Sequence, residues 1–185
     1  MNLMISESAF RAVPEANVPV DILSYATGQC ALGQVLVARS GKGVCAILMG
    51  DDHDELETDL ATRFPKATLV ASEAIVHDDL AKVIRFVEKP ADGLHLTLDM
   101  RGTSIQRRIW EKLRAIPVGR TATYMELACW IGPLATARMV AGACAANPIA
   151  LAIPCHRVVG SNGDLAGYRW GLERKRELIK REATA

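Results

Sequence analysis

The residues with the clearest capacity for chemistry form one short run near the end of the chain, Pro154-Cys155-His156-Arg157. A thiol here lies beside a titratable imidazole and a permanent cation, and both would favour the thiolate form that attacks carbon. On a strand, neighbouring side chains point to opposite faces, so His156 would reach the sulfur only through a bridging water or a turn at Cys155. Taken alone, such a pair is better explained by a small buried residue beside a surface histidine.

A second feature is a helix with unusually small side chains that precedes this run. Residues 135–146 read ATARMVAGACAA, in which Arg138 is the single long cation. Several Arg, Asn, Gln or Lys side chains usually read base edges in the major groove, and this helix lacks them. Small residues would let the helix approach a DNA minor groove, with Arg138 entering the base stack. Tight packing against a neighbouring helix explains the same residues, so both interpretations stay open.

Helix-start signals predict the elements that carry this small-sided helix. Thr103 with Gln106, and Thr123 with Glu126, each have the spacing of a capping box. The first pair predicts a helix that stops before Pro117, and the second predicts a short helix to about residue 131. The second of these helices and the small-sided helix, joined by a tight turn, predict a helix-turn-helix.

The sequence after the small-sided helix predicts short strands and a final helix. The apolar run over residues 149–153 is strand-like, and Asn162-Gly163 is a hairpin signal that would make a small wing. A basic amphipathic helix is predicted over residues 172–182. We therefore assign residues 101–185 to one helical domain.

The first hundred residues predict a small α+β unit without a cluster of catalytic residues. Residues 1–20 show no periodicity and are predicted to be a loosely ordered leader, and residues 21–100 are assigned to an amino-terminal domain. The patterns predict a β-hairpin, two helices and a strand, in that order, over residues 33–49, 51–61, 75–87 and 94–98.

Composition limits the class of protein. The chain has 185 residues, of which 50% are hydrophobic and 23% charged, so extensive disorder and coiled coil are excluded. It has neither a signal-peptide pattern nor an apolar run of about 20 residues, so we expect a cytoplasmic protein with no membrane partner. The 5 cysteines form no C-x-x-C pair, so we expect neither a disulfide framework nor a metal site.

Charge is divided unevenly along the chain. Residues 1–100 carry 8 Lys or Arg against 15 Asp or Glu, whereas residues 101–185 carry 14 against 6. The net charges of the two parts are thus −7 and +8. This asymmetry favours a polyanion as the partner of the second part, and electrostatic attraction between the two parts is the alternative.

The run from Pro154 to Val159, together with Gly167-Tyr168, Arg138 and Asn147-Pro148, resembles the O6-alkylguanine-DNA alkyltransferases. The motifs cover residues 101–182, and a looser likeness extends over the first half. The resemblance implies an α+β protein in which a small ribonuclease-H-like domain precedes a winged helix-turn-helix alkyltransferase domain. It also implies a monomer that needs no cofactor or metal.

The activity implied by this resemblance is DNA repair by direct transfer. An alkyl group, mainly methyl, would pass from O6-alkylguanine or O4-alkylthymine in double-stranded DNA to an internal cysteine, once per protein molecule. The damaged nucleotide would be flipped out from the minor groove. Extruding a base costs a few kcal/mol, and a mispaired lesion lowers that cost.

The resemblance also implies roles for individual residues. Cys155 would accept the alkyl group, His156 would deprotonate it through a water, and Glu182 would orient His156. Asn147 would link the small-sided helix to the active-site loop, and Tyr168 would form the pocket wall and donate a proton.

Further residues would bind DNA or surround the base. Arg138 would fill the space left by the extruded base, and Tyr124 would rotate the phosphate and lie against the flipped guanine. The residues that would contact DNA beside Arg138 are Ala135, Thr136 and Ala137, and those that would form the base pocket are Val158, Arg169, Trp170 and Lys175.

Two other functions compete with this interpretation. The first is a DNA-binding module without chemistry, but relatives of that kind replace the acceptor cysteine, which this chain retains as Cys155. The second is a cysteine hydrolase that uses Cys155 and His156. Adjacent residues give poor geometry for a nucleophile and its base, and the small-sided helix would have no role.

Overall fold

A computed structural model describes residues 21–185, so the leader predicted over residues 1–20 lies outside the described part of the chain. Its mixture of helices and strands confirms the predicted α+β class. The strands are β1 (Ile22–Cys30), β2 (Gly33–Ser40), β3 (Gly43–Gly50), β4 (Thr68–Ala71), β5 (Ala122–Thr123) and β6 (Val158–Val159). The helices are α1 (His53–Arg63), α2 (Glu73–Glu88), α3 (Ser104–Arg114), α4 (Tyr124–Ile131), α5 (Ala137–Ala145) and α6 (Leu172–Ala183).

A four-stranded sheet in the order β3-β2-β1-β4 forms the first part of the fold. Strands β1, β2 and β3 are antiparallel neighbours, and β4 lies parallel to β1. The predicted hairpin is thus present as β2 and β3, whereas the sequence patterns did not predict β1 or β4. Gly28 of β1 lies under α2, where an added Cβ would be 3.0 Å from Ile84 Cδ1. The absence of a side chain at Gly28 therefore lets α2 pack closely on the sheet.

The outer edge of β3 explains why two predicted strands do not form. Residues 94–98 pair with this edge only at Leu98, which bridges to Val44. Residues 149–153 pair with the same edge only at Ile149, which bridges to Ile47. Both strand predictions are therefore wrong, because two segments share one short edge and each pairs with it at a single residue.

The predicted wing is only partly present. The turn at Asn162-Gly163 forms, since Gly160 N donates to the Asp164 carbonyl at 2.8 Å. Within residues 21–185, however, no strand follows it to complete a hairpin. In the segment after the turn, the Ala166 carbonyl accepts a hydrogen bond from Lys175 Nζ of α6 at 2.5 Å.

Local capping places the helices around the candidate site as predicted. Both predicted capping boxes are present, at Thr103 for α3 and at Thr123 for α4. Helix α5 begins after Thr136, whose hydroxyl accepts a hydrogen bond from Met139 N at 3.2 Å. Each cap satisfies an amide that the helix itself cannot pair, so the starts of these helices are set by local sequence.

Trp110 fixes α5 against α3 within a core to which both parts of the chain contribute. Buried residues from Leu23 to Leu178 form one hydrophobic cluster. In its middle, Trp110 Nε1 donates to the Ala143 carbonyl near the end of α5 at 2.9 Å. No helix among residues 21–185 has the length and apolar character needed to span a membrane.

Replacing Trp110 with Phe tests this contact. Most of the apolar packing is kept, but the buried Ala143 carbonyl loses its donor, so we expect the free energy of unfolding to fall by about 1–3 kcal/mol. Trp130 is 51% exposed, and the matched Trp130→Phe change should alter stability by less than about 0.5 kcal/mol. Urea unfolding measures both, and equal losses would contradict the assignment.

Candidate active site

Cys155 begins a single turn of 3₁₀ helix, Cys155–Arg157, directly after Pro154. Its amide donates to the Ile153 carbonyl at 2.8 Å, so the chain bends here instead of continuing as a strand. Only 5% of Cys155 is exposed. Sequence analysis indicated that His156 could approach the sulfur only through a bridging water or a turn at Cys155, and the turn is present. Within the described residues, however, no hydrogen bond joins His156 to Cys155.

Asn147 connects the end of α5 to this turn. Its Nδ2 donates to the Ile153 carbonyl at 2.9 Å and to the Cys155 sulfur at 3.4 Å. Its Oδ1 accepts a hydrogen bond from Ile149 N at 2.9 Å. Between these contacts Leu151 has a φ of 65°, a left-handed conformation that is costly for a branched residue. The fully buried Asn147 therefore holds a strained loop in place and hydrogen-bonds the thiol.

Glu182 of α6 forms the centre of a buried ionic cluster. Its Oε1 lies 2.8 Å from His156 Nε2, and its Oε2 accepts from Arg157 Nε at 2.8 Å. Burial alone would raise the pKa of Glu182, but hydrogen bonds from His156 and Arg157 outweigh it and lower the pKa to about 2. Glu182 is thus a carboxylate at neutral pH. The network assigns the Nε2–H tautomer to His156, because that proton points at the carboxylate.

The imidazole of His156 is neutral and has one unused nitrogen. Complete burial lowers the pKa of His156, and the opposing effect of Glu182 does not restore it. Its Nδ1 is buried and has no hydrogen-bond partner among residues 21–185. This nitrogen can therefore accept a proton, and it belongs to the residue that follows Cys155 in the chain.

The Cys155 thiol is protonated in the resting protein. Burial raises its pKa to about 11, against the opposing effects of the Asn147 hydrogen bond and the positive charge of Lys175. The expectation that Arg157 favours the thiolate is wrong, because the Arg157 guanidinium turns towards Glu182 and the Ile116 carbonyl. The sulfur therefore needs a proton acceptor before it can attack carbon.

A pocket of about 540 Å³ opens onto Cys155. Tyr124 and Tyr168 lie on its walls, and Cys144 faces it from α5. The Tyr168 hydroxyl is buried without a partner among the described residues, and burial raises the pKa of this group well above its usual value. The pocket thus offers two thiols, those of Cys144 and Cys155, and the unpaired hydroxyl of Tyr168. The remaining lining residues are Ala141, Ala145, Ala166, Gly167 and Arg169.

Three residues expected in the base pocket lie behind its wall. Lys175 is fully buried, and its Nζ donates to the Val158 carbonyl at 2.6 Å. Trp170 packs edge-on against Tyr168, with ring centroids 5.2 Å apart. Of the four residues proposed for the pocket, only Arg169 lines it. Val158, Lys175 and Trp170 thus support the wall from outside.

Helix α5 uses few of its small residues for packing. Val140 and Ala143 are its buried residues. A Cβ added at Gly142 would meet nothing within 4 Å, and Arg138 is exposed. Tight packing thus accounts for only one side of this helix. The exposed or half-buried residues Ala135, Thr136 and Ala137 lie at its amino-terminal end.

The opposite charges of the two parts of the chain meet beside the pocket. Arg169 Nη2 lies 2.6 Å from an Asp59 oxygen of α1, and Arg174 Nη2 lies 2.5 Å from Asp51. The attraction between the halves is therefore real, although Arg138 forms no ion pair with any residue from 21 to 185. Sequence analysis missed both aspartates, because nothing local marks a partner more than 100 residues away.

Sequence comparison shows the family. Residues 104–184 match a family described as the DNA-binding domain of 6-O-methylguanine DNA methyltransferase. The chain is also 36% identical to a methylated-DNA–protein-cysteine methyltransferase of Candida albicans, over 80% of this chain and 89% of that protein. The chain belongs to this methyltransferase family. The resemblance inferred from the motifs is thereby confirmed.

Other members of this methyltransferase family extend the likeness to both parts of the chain. The bifunctional transcriptional activator/DNA repair enzyme Ada of Escherichia coli is 46% identical over 86% of this chain, which spans only 45% of that protein. A crystal structure of Mycobacterium tuberculosis OGT in complex with DNA matches with a TM-score of 0.69 and 31% identity. That match covers 87% of this chain and 93% of the other.

Replacing Glu182 with Gln tests the ionic cluster by its pH dependence. The pKa of Glu182 is lowered from 4.5 to about 2, so its stabilising contribution is complete above about pH 4.5 and is lost as the pH falls towards 2. We expect the variant to lose about 3–5 kcal/mol at neutral pH, because Arg157 is left buried without its counter-charge. Its stability should also fall less steeply than that of the unmodified protein below about pH 4.5.

Glu177→Gln is the matched control for this experiment. Glu177 lies on the same helix and pairs with Arg181 in a half-buried bridge near the surface, so its loss should cost less than about 1 kcal/mol. Urea unfolding between about pH 7 and pH 3 gives both quantities. The ionic cluster would be refuted if the two variants lost equal stability and kept the same pH slope.

Proposed function

We propose that this chain repairs double-stranded DNA by moving an alkyl group, mainly methyl, from the O6 of guanine to the sulfur of Cys155. The observation that carries the proposal is the position of Cys155, a buried thiol that lines a pocket of about 540 Å³. The next residue in the chain is His156, whose Nδ1 has no hydrogen-bond partner among the described residues. Each molecule reacts once, because the product is a thioether that no group in the site reverses. The O4 of alkylated thymine is the second substrate in this proposal.

The transfer requires three proton movements. The Cys155 proton passes to His156 Nδ1, through a water, and Glu182 stabilises the resulting imidazolium. The sulfur then forms a bond to the alkyl carbon, and the carbon–oxygen bond breaks with its electron pair moving into the guanine. Tyr168 donates a proton to the departing base and recovers one from His156. Atoms and charge therefore balance, and only the alkyl group stays on the protein.

The small-sided helix α5 gives the site access to an alkylated base. The O6 position of a stacked guanine cannot reach a buried sulfur, so the nucleotide must leave the duplex. In the proposal α5 enters the minor groove, Arg138 fills the space left by the base, and Tyr124 turns the adjoining phosphate. Ala135, Thr136 and Ala137 contact the backbone, which suits a lesion that occurs in any sequence.

We further propose an organisation for the whole chain. Residues 21–100 form a ribonuclease-H-like domain, and residues 101–185 form a winged helix-turn-helix domain that binds and repairs DNA. The protein acts as a monomer in the cytoplasm. Asn147, Val158, Arg169, Trp170 and Lys175 fix the pocket, since their contacts hold or line its wall.

The competing functions explain fewer observations. A cysteine hydrolase needs its base in contact with the nucleophile, but His156 makes no hydrogen bond to Cys155 in the described residues. A DNA-binding module without chemistry does not explain why Asn147 hydrogen-bonds the buried Cys155 thiol, nor why His156 pairs with the buried Glu182. Product yield also separates the functions, since a hydrolase turns over and a transferase stops at one alkyl group per molecule.

Cys155→Ser tests the acceptor. The unmodified protein, incubated with O6-methylguanine in duplex DNA, should gain the mass of one methylene on the peptide that contains Cys155. The serine variant should gain none yet bind the same DNA within about twofold, because the small change leaves α5 and the basic residues intact. Intact-protein and peptide mass spectrometry give the result, and Cys144→Ser is the control that should still be methylated. Methyl on any other residue would refute the assignment.

Arg138→Ala tests the role of α5. Loss of the side chain that replaces the extruded base should slow repair of duplex DNA by about tenfold or more. The rate with free O6-methylguanine base should stay within about twofold, because no extrusion is needed. Arg85→Ala removes an exposed charge from α2 and should change neither rate. Single-turnover kinetics decide the matter, and an unchanged duplex rate for Arg138→Ala would make this residue a surface charge only.

A further inference from the structure

A second cavity lies behind the turn that carries Cys155. It has a volume of about 310 Å³, and we call it the rear cavity. Pro154 and Arg157 line it, whereas Cys155 between them lines the alkyl-acceptor pocket. The turn Cys155–Arg157 is thus a partition between two cavities. Other residues that line the rear cavity include Phe86, Leu94, His95, Arg114, Val118 and Ala152.

The polar lining of the rear cavity is basic. Arg114, Arg157 and His95 line it, and no Asp or Glu does. Arg114 is exposed and forms no ion pair with any residue between 21 and 185. An unneutralised guanidinium in a concave site attracts anions, and it can bind a phosphate or carboxylate through two parallel hydrogen bonds.

Arg157 has N–H groups that form no hydrogen bond with the described residues. Its Nε and Nη2 donate to Glu182, and its Nη1 donates to the Ile116 carbonyl. A guanidinium has five N–H donors, so two remain after these three bonds. Because Arg157 also lines the rear cavity, a ligand oxygen there can pair with a residue that already holds Glu182.

Apolar side chains form the smaller part of the accessible lining of the rear cavity. Phe86 and Leu94 come from the first part of the chain, and Pro117 and Val118 come from the segment after α3. A volume of this size is at the lower end of ligand sites and admits one small ring. The lining therefore suits a compact molecule with an anionic end and an apolar body.

We propose that the rear cavity is a binding site for a small organic oxyanion. The phosphate or carboxylate group of the ligand pairs with Arg114 and with the free donors of Arg157, and its apolar body packs against Phe86 and Leu94. This site is separate from the acceptor pocket. A bound ligand would contact the back of the Cys155 turn and stabilise the loop in which Leu151 is strained.

Phenyl phosphate is the probe that tests this site, in the full chain and without DNA or an alkyl donor. The outcome is thus independent of the proposed repair reaction. We expect saturable binding by titration calorimetry and shifts in the amide NMR signals of Val118 and Ala152. Arg114→Gln should weaken binding by about tenfold or more, since it removes a charge-assisted hydrogen bond.

Two controls make the result decisive. Lys112→Gln removes an exposed charge from the same helix outside the cavity, and it should leave the affinity within about twofold. Phenol, which has the ring without the anion, should bind at least about tenfold more weakly than phenyl phosphate. The proposal is overturned by an absence of saturable binding, by equal effects of Arg114→Gln and Lys112→Gln, by phenol binding as tightly, or by shifts confined to residues of the acceptor pocket.

Discussion

The active region depends on one buried carboxylate. Glu182 comes from the last helix, and it pairs with both His156 and Arg157 of the turn that follows Cys155. Since desolvation of three ionisable groups is costly, the cluster is favourable only when all its hydrogen bonds form together. The same contacts therefore fix the tautomer of the imidazole, the direction of the guanidinium and the position of the turn. Helix α6 is in this sense part of the candidate active site.

The thiol is shielded before it is used. Burial holds the pKa of Cys155 at about 11, so almost no thiolate exists at neutral pH. A permanently ionised sulfur would react with any electrophile that entered the pocket. The Nδ1 of His156 has no hydrogen-bond partner among the described residues, and no direct hydrogen bond joins this imidazole to the sulfur. Under the proposed function, the thiol becomes reactive only when a bound substrate completes the path for its proton.

Local signals in the sequence predicted local structure, and contacts across the chain were not predictable in the same way. The capping boxes at Thr103 and Thr123 set helix starts, because each is complete within four residues. The strands expected over residues 94–98 and 149–153 depended instead on a free sheet edge, and two segments shared it. The candidate site shows the same division. The motif resemblance predicted that His156 and Glu182 lie together, which the structure shows. Spacing alone could not reveal that Arg157 turns away from the thiol towards Glu182.

The shared edge of β3 has a consequence for how this architecture can be recombined. Ile47 exchanges backbone hydrogen bonds with residues on both sides of Ile149, so the sheet of the first part directly supports the loop that leads to Cys155. Exchanging the first hundred residues for those of a distant relative would replace that support with a differently shaped edge. Hybrid proteins built from two such halves would therefore need matching residues where β3 contacts the segment around Ile149. The same contact limits how independently the sequences of the two halves can change.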